Sequence, residues 1–67
     1  MKISFDDKAD AIYLTLDEAA KVKDSEEVRP GVVLDFNDKD EVVGIEILNI
    51  KHRVSIDKLK QILFEVA

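Results

Sequence analysis

The chain has 67 residues, and its ten Lys or Arg against fifteen Asp or Glu give a formal net charge of −5 at pH 7. This length allows one domain, residues 1–67, with a small core, and the absence of cysteine excludes disulfides and thiolate metal sites. The acidic balance repels a phosphate backbone and no apolar run approaches the ~18 residues of a membrane span, so we expect a cytoplasmic protein that binds neither membranes nor, by this chain alone, nucleic acid.

The N-terminal residues indicate a β-hairpin. Lys2 to Phe5 alternates polar and apolar residues, which is the strand period. Asp6 to Asp10 is typical of a turn, because Asp side chains accept hydrogen bonds from nearby backbone N–H groups. Ala11 to Leu16 alternates again, with Ile12, Leu14 and Leu16 on one face. The sequence therefore predicts two strands joined by an acidic turn.

The sequence of the middle of the chain indicates an edge strand, a tight turn and the strand that follows this turn. Asp17 to Ala20 breaks the alternation and predicts either a loop or one helical turn. A weak, charged edge strand is expected between Val22 and Arg29. Pro30-Gly31 fits a type II turn, since Pro presets its own φ and Gly accepts a positive φ. Val32 to Phe36 follows as a strand.

Glu41 to Ile50 is the longest strand pattern in the chain, and it follows a polar turn at Asn37 to Asp40. Both of its faces carry apolar residues, which is typical of a central strand or of one that lies against a second layer. Gly44 within it indicates a bulge or a close approach of another backbone.

The C-terminal residues predict one helix. Ser55 is a suitable N-cap, and apolar residues then recur at helical spacing: Ile56, Leu59, Leu63 and Val66. Ile62, Phe64 and Ala67 widen this stripe to roughly 200°, whereas ~100° suffices to seat a helix on one sheet. The fold class is thus α+β: an antiparallel β-meander of about four or five strands followed by one helix.

The wide apolar stripe has two interpretations. Either the end of the helix is simply apolar, or the helix packs both on its own sheet and on another chain. The second interpretation predicts a homo-oligomer, with a dimer favoured. Its interaction surface would include four residues: Tyr13, Ile62, Phe64 and Val66.

Asp6, Asp7 and Asp10 are the first candidates for chemistry, because clustered carboxylates can transfer protons or bind a divalent ion. The simpler interpretation is that they shape a turn. One alternative function is therefore a small metal-dependent enzyme that would use these three residues, with His52 as a further candidate.

Lys51, His52 and Arg53 form the second candidate, an anion-binding site close to the N-terminus of the predicted helix. The simpler interpretation is a charged connector that balances an acidic surface. No other pattern, such as GxSxG or a glycine-rich loop, is present. We therefore assign no catalytic residue, metal or cofactor.

Three segments resemble the DUF2283 family of small prokaryotic proteins: Met1 to Leu14, Glu27 to Phe36 and Val42 to Asn49. The resemblance implies a compact strand meander with a helix and no known activity. Some family members are encoded beside small toxin-like proteins, which implies a possible antitoxin-like role. The leading hypothesis is a non-enzymatic interaction module that self-associates and binds a small basic, toxin-like partner; the metal-dependent enzyme and the anion-binding module are the alternatives.

Overall fold

The computed structural model of the chain describes the backbone of residues 1–66 and the side chains of residues 1–63. Five antiparallel strands form one sheet, and two helices follow them. In chain order the elements are β1 (Lys2–Asp6), β2 (Ala11–Thr15), β3 (Asp24–Arg29), β4 (Val32–Phe36), β5 (Val42–Leu48), α1 (Ile50–Arg53) and α2 (Ile56–Val66). The α+β class and the antiparallel sheet are confirmed.

The strand order in the sheet is β1-β2-β5-β4-β3. The β1–β2 hairpin and the β3-β4-β5 meander are joined side by side, because β5 pairs with β2. The chain therefore crosses from β2 to the far edge of the sheet before β3 begins. The predicted edge strand is confirmed as β3, which is shorter than the segment from Val22 to Arg29.

The turn between β3 and β4 is set by Pro30 and Gly31, as predicted. Gly31 has φ of 77°, the left-handed conformation that the third position of a type II turn requires. Gly44 is also explained, since an added Cβ would lie 3.4 Å from the Leu14 carbonyl oxygen and 3.0 Å from a carboxylate oxygen of Asp35. The register between β4 and β5 shifts close to this position.

The last strand ends at Leu48, so the prediction of one strand from Glu41 to Ile50 is wrong at its C-terminal end. Asn49 has φ of 55°, a conformation that Asn tolerates and that ends the extended backbone. Ile50 then begins the single helical turn α1, in which it is buried. The segment from Lys51 to Arg53, which connects the last strand to α2, is therefore a helical turn.

Alternation along the strands gives the sheet two faces, one aliphatic and aromatic and the other mostly polar. We call the apolar one the helix-side face; its residues are Ile3, Phe5, Ile12, Leu14, Val32, Leu34, Ile45 and Ile47. The other we call the open face; it carries Lys2, Ser4, Asp6, Tyr13, Thr15, Ser25, Glu27, Val33, Asp35, Gly44 and Glu46, together with the buried Ala11 and the half-buried Leu48. Both helices lie on the helix-side face.

Helix α2 begins where the sequence predicts. The Ser55 hydroxyl accepts a hydrogen bond from the Lys58 N–H at 3.2 Å, which is an N-cap contact. Leu59 is 5% exposed and joins Ile12 and Ile50 in the core. The helix contacts β1, so it covers one border of the sheet. Within the described residues, no helix has the length and apolar composition needed to cross a membrane.

Candidate functional site

An apolar groove of about 440 Å³ lies on the helix-side face between α2 and the middle of the sheet. It exists because α2 covers the β1 border and leaves the apolar side chains in the middle of the sheet, Val32, Leu34, Ile45 and Ile47, only half-buried. Its lining is Ile3, Ile12, Leu14, Val32, Ile45, Ile47, Ile50, Arg53, Val54 and Ile62. Nine of these ten residues are aliphatic, so the groove can take an apolar surface and offers little to a polar ligand.

A smaller recess of about 260 Å³ lies on the other flank of α2. Its walls are Phe5, Ile56, Leu59 and Leu63, with Asp7, Lys51 and Lys60 beside them. Ile56 is 58% exposed here and Ile62 is 39% exposed beside the groove. Helix α2 thus has apolar side chains in water on both flanks, which agrees with its wide apolar stripe.

Arg53 is the one charged residue of the groove, and its guanidinium already has partners. Its Nε donates to the Leu48 carbonyl at 2.9 Å, and its Nη2 donates to the Pro30 carbonyl at 2.8 Å. A Cβ on Gly31 would lie 2.5 Å from Nη2. Gly31 therefore supplies both the turn conformation and the space for Arg53, which ties α1 to the ends of β4 and β5.

Asp10 holds the start of α1. Its carbonyl accepts from the Ile50 N–H at 3.0 Å, and its carboxylate accepts from the Lys51 N–H at 3.2 Å. These are the N–H groups that a helix leaves without intrahelical partners. Asp10 has φ of 52°, in the left-handed region that Asp tolerates.

The other two residues of the predicted acidic cluster have separate partners. Asp6 accepts from the N–H groups of Lys8 and Ala9 at 3.0 and 3.1 Å. The Asp7 carboxylate forms an ion pair with the Lys51 ammonium at 2.9 Å, and this contact raises the pKa of Lys51. Within the described residues, no group of three or more acidic or histidine side chains is arranged to hold a metal ion.

The predicted anion-binding residues share the turn α1, but their cationic groups have different environments. Lys51 pairs with Asp7, Arg53 donates to two carbonyls, and His52 is exposed. The Lys51 ammonium and the Arg53 guanidinium therefore both already contact groups of the same chain.

The open face carries a pair of carboxyl groups that sequence reasoning missed. Glu46 on β5 lies beside Asp35 on β4, and Asp35 accepts a hydrogen bond from the Ser25 hydroxyl at 2.7 Å. The hydrogen bond between the two carboxyls, with burial and their mutual repulsion, raises the pKa of Glu46 above its ordinary value. Tyr13 is the cross-strand neighbour of Glu46.

Of the four residues predicted as a possible interaction surface, the two whose side chains are described lie on opposite sides of the sheet. Tyr13 is half-buried on the open face, whereas Ile62 lines the groove on the opposite side of the sheet. The side chains of Phe64 and Val66 lie outside the described residues. The groove residues Leu14, Val32 and Ile45 were missed as a surface, although their alternation placed each on the apolar face of its own strand.

A cleft of about 610 Å³ between the loops at 17–23 and 37–41 has a different character. It is lined by groups of both charges, including Asp17, Lys21 and Lys39. Asn37 organises one wall by accepting from the N–H groups of Lys39 and Glu41. The cleft is formed by turns whose side chains accept hydrogen bonds from their own backbone. Its lining residues do not form a recognisable catalytic arrangement.

Comparison with protein-family models gives one finding: the model described as "Protein of unknown function (DUF2283)" matches residues 2–51. The match covers the sheet and the start of α1, and it ends before α2. Comparisons with curated proteins and with solved structures give no match.

Proposed function

Since this chain belongs to the DUF2283 family, a family of unknown function, we propose its role from its surfaces: it is a non-enzymatic interaction module that self-associates through the helix-side face. The observation that supports this most directly is the groove, where nine aliphatic side chains line an opening of about 440 Å³. Exposed contiguous apolar surface is characteristic of interaction sites.

The small size of the domain supports the same proposal. A chain of 67 residues buries only about 60% of the surface that its unfolded form exposes. Five hydrophobic residues are buried among those described, at Ala11, Ile12, Val43, Ile50 and Leu59. Burial of the groove against another chain would enlarge this core and stabilise the fold.

A matched pair of variants tests the proposal. Val33 and Leu34 are half-buried neighbours on β4 and point to opposite faces. Leu34→Lys places a charge on the helix-side face and should convert the assembly to monomer. Val33→Lys places the same charge on the open face and should leave the mass unchanged. Light scattering after size exclusion gives the masses; equal behaviour of the two variants would contradict the proposal.

A basic partner is a second candidate, favoured by the open face. Asp35, Glu46 and Glu27 are carried there on adjacent strands, around Tyr13 and Val33. Carboxylates around an aromatic and an aliphatic residue suit a lysine- or arginine-rich partner, the kind of partner that the family resemblance implies. The surface is separate from the groove, so one protein could use both.

Calorimetric titration with a lysine-rich peptide of about ten residues tests this second candidate. We expect heat at low salt that falls steeply with ionic strength and that is lost in the Asp35→Asn/Glu46→Gln variant. A Glu41→Gln variant, altered in the loop before β5, is the control. Absence of heat at low salt, or equal heat from both variants, would count against it.

The metal-dependent enzyme at Asp6, Asp7 and Asp10 and the anion site at Lys51, His52 and Arg53 stay predictions. The contacts of the three carboxylates are those of a turn and an ion pair. The contacts of Lys51 and Arg53 fix α1 in place. Neither set carries an observation that would raise it above the interaction module.

A further inference from the structure

The groove and the charges around it favour one particular occupant among the apolar surfaces that could fill it. We infer that a second copy of this chain fills it, with helix-side face against helix-side face, so that Leu14, Leu34 and Ile45 of each protomer pack on the same region of the other. The inference rests on the proposed function, because it names the contact through which the chain self-associates.

The lining of the groove favours an apolar occupant over a polar one. Its one charged side chain, Arg53, already donates to the carbonyls of Leu48 and Pro30. A polar ligand would lose its water and gain few hydrogen-bond partners there, which is unfavourable. The half-buried aliphatic residues of β4 and β5 are a surface of the required chemistry, and two sheets that pack face to face interdigitate such residues about 10 Å apart.

Charge is segregated along the chain in a way that favours self-association. Residues 1–49 carry six Lys or Arg and thirteen Asp or Glu, and residues 50–67 carry four and two. The strands are thus net acidic and the C-terminal helices net basic. Two copies attract each other when the helices of one lie beside strands of the other.

The register locates the groups that would meet. Asp24 and Glu26 of the edge strand β3 pair with Phe36 and Leu34, so Glu26 points to the helix-side face. Lys58 is exposed on α2 one turn before Ile62, on the flank beside the groove. Within one protomer, α2 covers the β1 border and β3 forms the opposite border.

A two-fold axis along the strands brings these opposite borders together. When two helix-side faces meet across such an axis, the α2 border of each protomer lies beside the β3 border of the other. The axis keeps each residue's position along the strands, so Lys58 of one copy approaches Glu26, level with Leu34 and Ile45, and not Asp24 at the far end of β3; the contact occurs twice. The same arrangement shields the unpaired edge of β3.

Charge reversal tests the arrangement. Glu26→Lys and Lys58→Glu should each raise the dimer dissociation constant about tenfold or more, because an attraction made twice becomes a repulsion made twice. The Glu26→Lys/Lys58→Glu double variant should return the constant to within about threefold of the unaltered chain. Glu26→Lys is especially informative, since it lowers the net negative charge and would strengthen any association limited by general repulsion.

Lys60→Glu is the matched control, because it makes the same charge change on the other flank of α2. Sedimentation equilibrium gives the constants, and circular dichroism shows that each variant is folded. A dimer whose constant responds equally to Lys58→Glu and Lys60→Glu, or fails to recover in the double variant, would overturn this inference alone. A monomeric unaltered chain at about 100 µM, well above typical dimer dissociation constants, would overturn the proposed function as well.

The absence of cysteine permits an independent measurement. Leu34→Cys should be cross-linked into a dimer by a bismaleimide that spans about 10 Å, the distance between packed sheets. Val33→Cys, its neighbour on the open face, should remain largely uncrosslinked under the same conditions. Equal cross-linking of the two would contradict the face-to-face contact.

Discussion

The two faces of the sheet use the same backbone and differ in how they are completed. On the open face, polar and charged side chains can remain in water, and Tyr13 and Val33 are half-buried among them. On the helix-side face, one helix of eleven residues, α2, covers only the β1 border. The open face keeps its polar groups in water, whereas the helix-side face leaves aliphatic groups without cover.

The difference shows that the width of a sheet must be matched by the width of the helices that cover it. A five-stranded sheet is wider than one helix, because strands lie about 4.8 Å apart and a helix is about 10 Å across. The uncovered strands of a larger protein would receive a second helix. In this chain they form the groove, which is why the helix-side face is the place where we expect association.

The largest expected effect separates the two faces directly. Ile12→Ala should lower the free energy of unfolding by about 3 kcal/mol, because the side chain is 7% exposed and its removal leaves a cavity in the core. Tyr13→Ala, at the adjacent half-buried position of the open face, should cost about 1 kcal/mol. Urea unfolding of both variants measures the difference; equal losses would show that the two faces are not distinct.

Helix α2, which covers the β1 border, provides the next test. Leu59→Ala should cost about 2–3 kcal/mol, since Leu59 is the buried contact of α2 with the core. Ile56→Ala should cost about 0.5 kcal/mol or less in the monomer, because Ile56 is 58% exposed. Thermal unfolding monitored by circular dichroism compares them. A Leu59→Ala variant as stable as Ile56→Ala would mean that α2 does not complete the helix-side face.

A substitution at the contact between Gly31 and Arg53, which holds α1 against the sheet, should lower the free energy of unfolding by less. Gly31→Ala should cost about 1–2 kcal/mol, because alanine is strained at φ of 77° and its Cβ displaces the Arg53 guanidinium. In an Arg53→Ala background the clash is removed, so the additional cost of Gly31→Ala should be smaller. Additive costs in the double-mutant cycle would contradict the contact.

The smallest effect belongs to the open face and depends on pH. The folded state holds the Glu46 proton more tightly than the unfolded chain does, so stability falls as the pH rises from 4.5 through the raised pKa of Glu46. Glu46→Gln should therefore stabilise the protein at pH 7 by about 0.2–1 kcal/mol and have no such effect below about pH 4. Glu27→Gln is the control; a stabilisation by Glu46→Gln that is independent of pH would contradict the carboxyl pair.

Local patterns were enough to predict most elements and their apolar faces. Pro30-Gly31, Ser55 and the alternation from Ala11 to Leu16 each state a local backbone preference, and the structure follows all three. The end of β5 was missed because Asn49 tolerates both extended and left-handed backbone, and an alternating pattern does not show which it adopts.

Contacts between distant residues could not be predicted in the same way. The pairing of β2 with β5, the Asp10 contacts at α1 and the fit of Arg53 against Gly31 all join residues more than 20 positions apart. The alternation of polar and apolar residues shows on which face of its strand a side chain lies. It does not show which strand lies next to it in the sheet. The groove depends on that strand order. The carboxyl pair Asp35–Glu46 lies instead on the consecutive strands β4 and β5, and it was missed because the shift of register beside Phe36 decides which residues are neighbours.

The most direct test of the central claim is the mass of the unaltered chain at sedimentation equilibrium between about 1 and 100 µM, the range in which moderate self-association is resolved. If the helix-side face is completed by a second copy, the mass should approach twice 7.6 kDa as the concentration rises. A constant mass of 7.6 kDa across the whole range would contradict it.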